Sequence, residues 1–146
     1  MAKYFTATVL ENTALNKHFR LLTIDAGPST LNAQRIPAPG QFYMLQAGDT
    51  YDPLLKRPFS IFKIEQQSSR AAEQQDLRTI ALSFLYRIRG KGTIYLSNLR
   101  DGDIIEVIGP LGNSYPEPDG DFISVAGGVG IASLLPLLDI RKNAGY

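Results

Sequence analysis

The stretch Thr79-Ile-Ala-Leu-Ser-Phe-Leu-Tyr-Arg-Ile88 alternates its side chains with a period of two. Ile80, Leu82, Phe84, Tyr86 and Ile88 fall on one side, and Thr79, Ala81, Ser83 and Arg87 on the other. Successive side chains of a strand point to opposite faces, so this pattern predicts a strand with one face on a core. Shorter runs of the same kind lie around it. Lys3–Glu11 and His18–Asp25 are rich in Thr, Val, Phe, Leu and Ile, with a polar turn between them. Phe42–Ala47 follows the punctuation Pro37-Ala-Pro-Gly40. Arg57–Ile64 alternates again, with Ser60, Phe62 and Ile64 opposite Arg57, Phe59 and Ile61. Ile104–Ile108 follows the turn Asp101-Gly-Asp103, and the polar run Gln66–Asp76 reads as an exposed hairpin loop. Thr93–Leu99 reads as a short helix with Thr93 as its N-cap. Six strands and one brief helix predict a mainly β domain over residues 1–114, a small antiparallel Greek-key barrel whose closure removes exposed edges.

The character changes at Tyr115-Pro-Glu-Pro-Asp-Gly-Asp121, which reads as a linker. Phe122–Ala126 is then a continuous apolar run, the mark of a buried parallel strand. Gly127-Gly-Val-Gly130 and a helical stretch from Ile131 to Asn143 complete a strand–turn–helix, so residues 122–146 are expected to open an α/β domain. One strand and one helix cannot bury their own apolar faces. The expectation is therefore that the natural protein continues past Tyr146, or that the uncovered helix face is buried by self-association.

Composition narrows the chemistry. Among 146 residues, 15 Lys+Arg stand against 14 Asp+Glu, a balance with no broad attraction for nucleic acid or anionic membrane. The absence of Cys excludes thiolate nucleophiles and Cys-held zinc or iron–sulfur centres from this chain. The one histidine, His18, leaves no multi-His metal site, and beside Lys17 and Arg20 it reads as a solvated surface group. Glu65, Glu106 and Asp121 form no acid–base pair or metal spacing and read as solvated or turn residues. The start, Met-Ala-Lys-Tyr-Phe-Thr, lacks the apolar core of a signal peptide, so the expected location is the cytoplasm. Demanding chemistry is expected to come from a bound cofactor.

Four patterns could receive one. Arg57-Pro58-Phe59-Ser60 offers a guanidinium fork for phosphate, a flat ring and a small hydroxyl, or simply a strand start with an exposed Arg. Leu85-Tyr86-Arg87 would line a groove for a ribityl chain or an adenine, or else Tyr86 is core and Arg87 solvated. Gly90-Lys91-Gly92-Thr93 places glycines and N–H groups at a helix start, suited to phosphate oxygens, or is a capped glycine turn. It lacks the spacing of a P-loop. Gly127-Gly128-Val129-Gly130 lies between an apolar run and a helix, where a dinucleotide loop sets glycine backbone against pyrophosphate. Ser133 stands at that loop's third small position.

In this order, and with Gly109-Pro-Leu-Gly-Asn113, these motifs resemble the ferredoxin–NADP reductase superfamily, and within it the electron-transfer subunit of NAD-linked (class B) dihydroorotate dehydrogenase. The likeness runs from the Phe5 strand to the last helix. It implies FAD on the barrel, with Arg57, Gly92 and Thr93 at its phosphates. Ser60 would meet the edge of its ring, Phe59 would lie beside that ring, and Pro58, Leu85, Tyr86 and Arg87 would line the cofactor. Many relatives carry Tyr at position 59, so Phe59 keeps the stacking face and loses a hydroxyl. Gly127, Gly128 and Gly130 would face NAD, and Ser133 replaces a Pro common among relatives. The likeness also implies an FMN-containing, dihydroorotate-oxidising partner subunit and a [2Fe–2S] cluster held by a C-terminal segment outside this sequence. The implied function is electron relay in pyrimidine biosynthesis. The alternatives are a reductase subunit of a hydrogenase, a sulfide-linked enzyme or an oxygenase, or a barrel that serves only as an interaction module.

Overall fold

The computed structural model describes residues 2–28, 37–47, 55–68, 78–116 and 120–143. Seven strands form one sheet: β1 (Lys3–Ala14), β2 (Phe19–Pro28), β3 (Phe42–Ala47), β4 (Arg57–Ser60), β5 (Lys63–Ser68), β6 (Arg78–Arg87) and β7 (Ile104–Leu111). Their order across the sheet is β4-β3-β7-β1-β2-β6-β5, with every pair antiparallel. The two edge strands, β4 and β5, are consecutive in sequence and separated only by Ile61 and Phe62. The sheet must therefore curl until its edges meet, which is the barrel-like closure expected from the short, alternating strands.

The expected single strand Arg57–Ile64 is thus two. Residues 57–60 pair with β3, while the Phe62 N–H donates to the Ser83 carbonyl at 2.8 Å and commits the next residues to β6. Ile61, 2% exposed, turns into the core where the chain crosses over. The core is built from the predicted faces. Ile80, Leu82, Phe84 and Tyr86 of β6 pack with Leu22 and Ile24 of β2, Tyr43 and Leu45 of β3, and Ile105 and Val107 of β7. The other face of β6 is covered too: Ala81 and Ser83 are buried, and the Ser83 hydroxyl shares a 2.9 Å hydrogen bond with Thr23 directly across the β2–β6 ladder.

Helix α1 (Lys91–Ser97) starts two residues earlier than expected, with Gly90 as N-cap. Thr93 is the third helical residue, and its hydroxyl reaches back to accept the N–H groups of Arg89 at 2.9 Å and Gly90 at 3.1 Å. Leu96 inserts into the core, and its burial contributes roughly 1.5–3 kcal/mol. The Gly109-Pro-Leu-Gly-Asn113 segment has a packing reason of its own. A Cβ on Gly109 would sit 2.1 Å from the Tyr43 ring, and Gly112 turns with φ +76° against Phe42.

Beyond β7 the expectation fails in one respect. Residues 122–126 form no strand, and Ile123 and Val125 are 92% and 89% exposed. An extended apolar run becomes a buried strand only where neighbouring strands pair with it, and none lies beside this one among the described residues. The helix expected over Ile131–Asn143 divides into a 3-10 helix, Gly128–Ser133, and α2 (Leu135–Asn143). Pro136 explains the restart, because a residue without an N–H is tolerated only in a helix's first turn. Residues 66–68 of the expected hairpin loop belong to β5, and its residues 69–76, like 117–119 of the expected linker, lie outside the described residues.

Candidate functional site

The turn 89–93 is rigid because Thr93 ties it together. Its hydroxyl takes the two backbone N–H groups already named and donates to the Gly90 carbonyl at 2.9 Å. The side chain is thereby occupied, and what position 93 can offer a ligand is its backbone N–H at the helix start. Arg57, entering β4, lies over this turn. A Cβ on Gly92 would stand 3.1 Å from Arg57 Nε and 3.2 Å from its Cγ, so only glycine lets the guanidinium arm settle there undisturbed. Arg57 Nη1 donates to the Leu55 carbonyl at 2.5 Å, which fixes the fork's direction. Among the described residues, Arg57, Arg89, Gly90, Lys91, Gly92 and Thr93 line a cleft of about 280 Å³, three of them cationic.

A larger cleft of about 550 Å³ opens beside it. One wall is Pro58, Phe59 and Ser60 of β4 with Leu85, Tyr86 and Arg87 of β6; the facing wall is Gly127, Gly128, Val129, Gly130 and Ala132. Phe59 meets the Tyr86 ring edge-on, with centroids 5.8 Å apart at 72°. Tyr86 is 2% exposed and belongs to the core while edging the cleft; burial raises its phenol pKa, so it stays un-ionised at neutral pH. Arg87 is exposed and lies over the Phe19 ring, 5.9 Å from its centroid. The structure therefore brings the first two motifs and the glycine turn into one cleft, and Arg57 with the 90–93 turn into the other. His18 is exposed at a strand start, and Glu65 and Glu106 are taken up in ion pairs with Lys63 and Lys56.

Sequence reasoning missed three contributors. Arg89 lines both clefts. Asn12 joins the two ends of the site: its amide donates to the Leu96 and Leu99 carbonyls of the α1 end at 2.8 and 3.0 Å. Its oxygen accepts from the Tyr86 hydroxyl and Arg20 Nε, each at 3.2 Å. Tyr115, read as linker, is a strap. Its N–H donates to the Pro39 carbonyl at 2.8 Å, and its hydroxyl donates to Ser133 Oγ at 2.9 Å. Ser133 Oγ in turn donates to the Gly130 carbonyl at 2.9 Å, so the strap ends on the glycine wall of the cleft. A lone Asn in a strand and a Tyr in a Pro-rich stretch carry no local signal of such long-range bonds.

No family model matches the chain. It is 34% identical over 145 residues to the electron transfer subunit of dihydroorotate dehydrogenase B (NAD(+)) from Desulforamulus reducens, covering 98% of this chain and 50% of that protein. The same subunit from Clostridium acetobutylicum is 39% identical over 107 residues, covering 72% of this chain and 38% of the relative. That from Caldanaerobacter subterraneus subsp. tengcongensis is 41% identical over 103 residues, covering 69% and 35%. The chain thus spans half or less of the length of these curated relatives. Among solved structures, the ferredoxin reductase in carbazole 1,9a-dioxygenase superposes with a TM-score of 0.70 at 20% identity, over 97% of this chain and 40% of that one. The ferredoxin NADP+ reductase from Neisseria gonorrhoeae with bound FAD and NADP superposes with a TM-score of 0.62 at 18% identity, over 96% and 53%. These likenesses show the fold, and in sequence the chain is similar to the electron-transfer subunits of dihydroorotate dehydrogenase B.

Proposed function

We propose that the chain is the FAD-holding part of an electron-transfer subunit that relays electrons between a dihydroorotate-oxidising partner and NAD. The observation that carries this reading is the seating of Arg57 against Gly92, which makes the β4 motif and the 90–93 turn one cationic cleft next to a second, partly apolar one. The residues fit a flavin dinucleotide: a flat, half-buried aromatic site for a ring, and beside it charge and free N–H groups for a diphosphate. The Gly92 position, which a Cβ would crowd, is a cradle of the kind a close phosphate approach requires.

Bound there, FAD supplies the exchange of a hydride with a nicotinamide and of single electrons with an iron–sulfur centre. The chain's own residues bind and orient. Arg57 and the N–H groups of Gly92 and Thr93 hold the diphosphate. Phe59, braced edge-on by Tyr86, and Ser60 form the wall for the ring together with Pro58, Leu85 and Arg87. Gly127, Gly128 and Gly130 bound the opposite wall with Val129 and Ala132, and the glycine backbone there would face an entering nicotinamide nucleotide. No acid or base is required of the protein. Residues 1–114 form the flavin-binding unit, 115–121 the connection, and 122–146 the beginning of the NAD-binding unit. An iron–sulfur centre and an FMN-containing catalytic partner would belong to the rest of the assembly. A reductase for another partner would use the same relay, but relatives at 34–41% identity favour the dihydroorotate system.

Arg57→Ala in the full-length protein tests the reading. Loss of a charge-assisted phosphate contact costs about 1.5–3 kcal/mol, so the FAD Kd should rise by about 10-fold to 150-fold with the fold intact by circular dichroism. Flavin affinity equal to that of the unaltered protein would overturn it.

A further inference from the structure

Asn12 lies on β1 just past a slip in the strand's register. Val9 pairs with Ile24, but Glu11 pairs with Thr23 and Asn12 with Leu22, so one extra residue is inserted between Val9 and Glu11. Without that insertion Glu11 would share the inner face of Ala7 and Val9. With it, Asn12 stands opposite the core residue Leu22 and is half-buried at the end of the barrel. A bulge of this kind re-aims one side chain, and here it aims an amide at α1 and Tyr86.

The amide is fully used. Its NH2 group donates to two carbonyls of the α1 end, and its oxygen accepts from the Tyr86 hydroxyl and from Arg20. Arg20 Nη2 also donates to the Asn12 backbone carbonyl at 2.6 Å, which holds the residue as a whole. Two acceptors on one side and two donors on the other allow the amide a single orientation. Among its neighbours, Leu96 anchors α1 by burial, but burial has no direction and leaves the helix free to rotate or slide. Two hydrogen bonds to carbonyls about one turn apart remove that freedom. The far end of this short helix is the 90–93 turn of the smaller cleft, and Tyr86 braces Phe59 in the larger one.

We propose that Asn12 is a positioning residue that fixes the separation of the two clefts and so fits the pair to a dinucleotide. The inference rests on the flavin reading and deepens it. A ligand that fills both clefts binds its second half as an intramolecular event, and the advantage is largest when the spacing is held constant. A ligand that fills one cleft gains nothing from that spacing. Loosening Asn12 should therefore penalise FAD and spare its halves.

The experiment titrates flavin-freed full-length protein with FAD, with riboflavin for the larger cleft and with ADP for the smaller, in Asn12→Ala and Asn12→Asp. Asn12→Ala should weaken FAD by about 10-fold, the value of two neutral hydrogen bonds to the helix, and leave riboflavin and ADP within twofold. Asn12→Asp keeps the acceptors for Tyr86 and Arg20, which preserves the fold, but sets a carboxylate against the carbonyl end of α1. It should lose FAD affinity at least as far as Asn12→Ala. FAD affinity in Asn12→Asp equal to that of the unaltered protein overturns the assignment, since the helix bonds would then not matter. A loss for riboflavin or ADP equal to that for FAD overturns it too, because Asn12 would merely support the shape of one cleft; both results leave the flavin reading standing. Absence of FAD binding by the unaltered protein overturns both.

Discussion

Replacing Gly92 by Ala should move fold stability and flavin affinity in opposite directions. The new methyl would lie 3.1 Å from Arg57 Nε, 3.2 Å from Cγ and 3.6 Å from Cζ, so the arm must yield by a few tenths of an ångström. An arginine arm is flexible, and that shift is cheap for the fold. Against it stand a helix-propensity gain of up to about 1 kcal/mol and the burial of one methyl, about 0.8 kcal/mol. Position 92 is in the first turn, where the propensity gain is smaller, so the net effect on stability should lie between zero and about +1 kcal/mol, or up to about 4 °C in Tm. The ligand experiences the reverse. The guanidinium is displaced from its resting place, and a methyl covers the N–H groups it is meant to support, which should cost about 1 kcal/mol, roughly fivefold in the FAD Kd. Thermal melts of the flavin-free protein and flavin titrations measure the two quantities separately. A lower Tm with unchanged FAD affinity would refute the reasoning, because Gly92 would then serve the packing of α1 and nothing else.

Two further outcomes follow from the Lys56–Glu106 ion pair and from the Tyr115 strap. The Lys56 ammonium, and then the Tyr4 hydroxyl, hold the Glu106 carboxyl below its usual 4.5, so its stabilising contribution is full above that pH and is lost as pH falls through the lower, folded value. Melting curves below pH 4.5 should be less steep in pH for Glu106→Gln than for the unaltered protein, and identical slopes would count against the pairing. Tyr115→Phe removes the hydroxyl that reaches Ser133 while keeping the ring on Gly40; in the full-length protein the KM for NAD should rise several-fold with FAD content unchanged, and an equal loss of FAD would show that the strap braces the barrel instead.

The barrel was legible because β6 buries one complete face, so apolar positions recur every second residue along its whole length. The β4–β5 break was not, because the alternation continues unbroken through Ile61 and Phe62 while the hydrogen-bonding partner changes from one edge of the sheet to the other. Periodicity reports which way a side chain faces and not which strand lies beside it. The same limit explains residues 122–126, whose composition signals burial although exposure is what the chain shows there. At the site, glycine-rich turns and the Arg-Pro-Phe-Ser run could be seen in sequence because each is a local pattern. Asn12, Arg89 and Tyr115 could not, because what each does is defined by residues far away in the chain.

The division of labour that emerges has a consequence for how the site works. Every group proposed for the phosphates, Arg57, Gly92 and Thr93, lies within the barrel and is fixed by barrel contacts: Arg57 by Leu55 and Gly92, the turn by Thr93, and the helix by Leu96 and Asn12. The opposite wall of the ring cleft belongs to Gly127–Gly130 and is fixed to the barrel's Pro39-Gly40 turn through Tyr115 and Ser133. On the proposed function, grip on the dinucleotide and the width of the larger cleft would be set by different bonds. A change in the second can open or close access to the ring without loosening the first, which is the property a relay needs if it is to keep its flavin while nicotinamide nucleotides come and go.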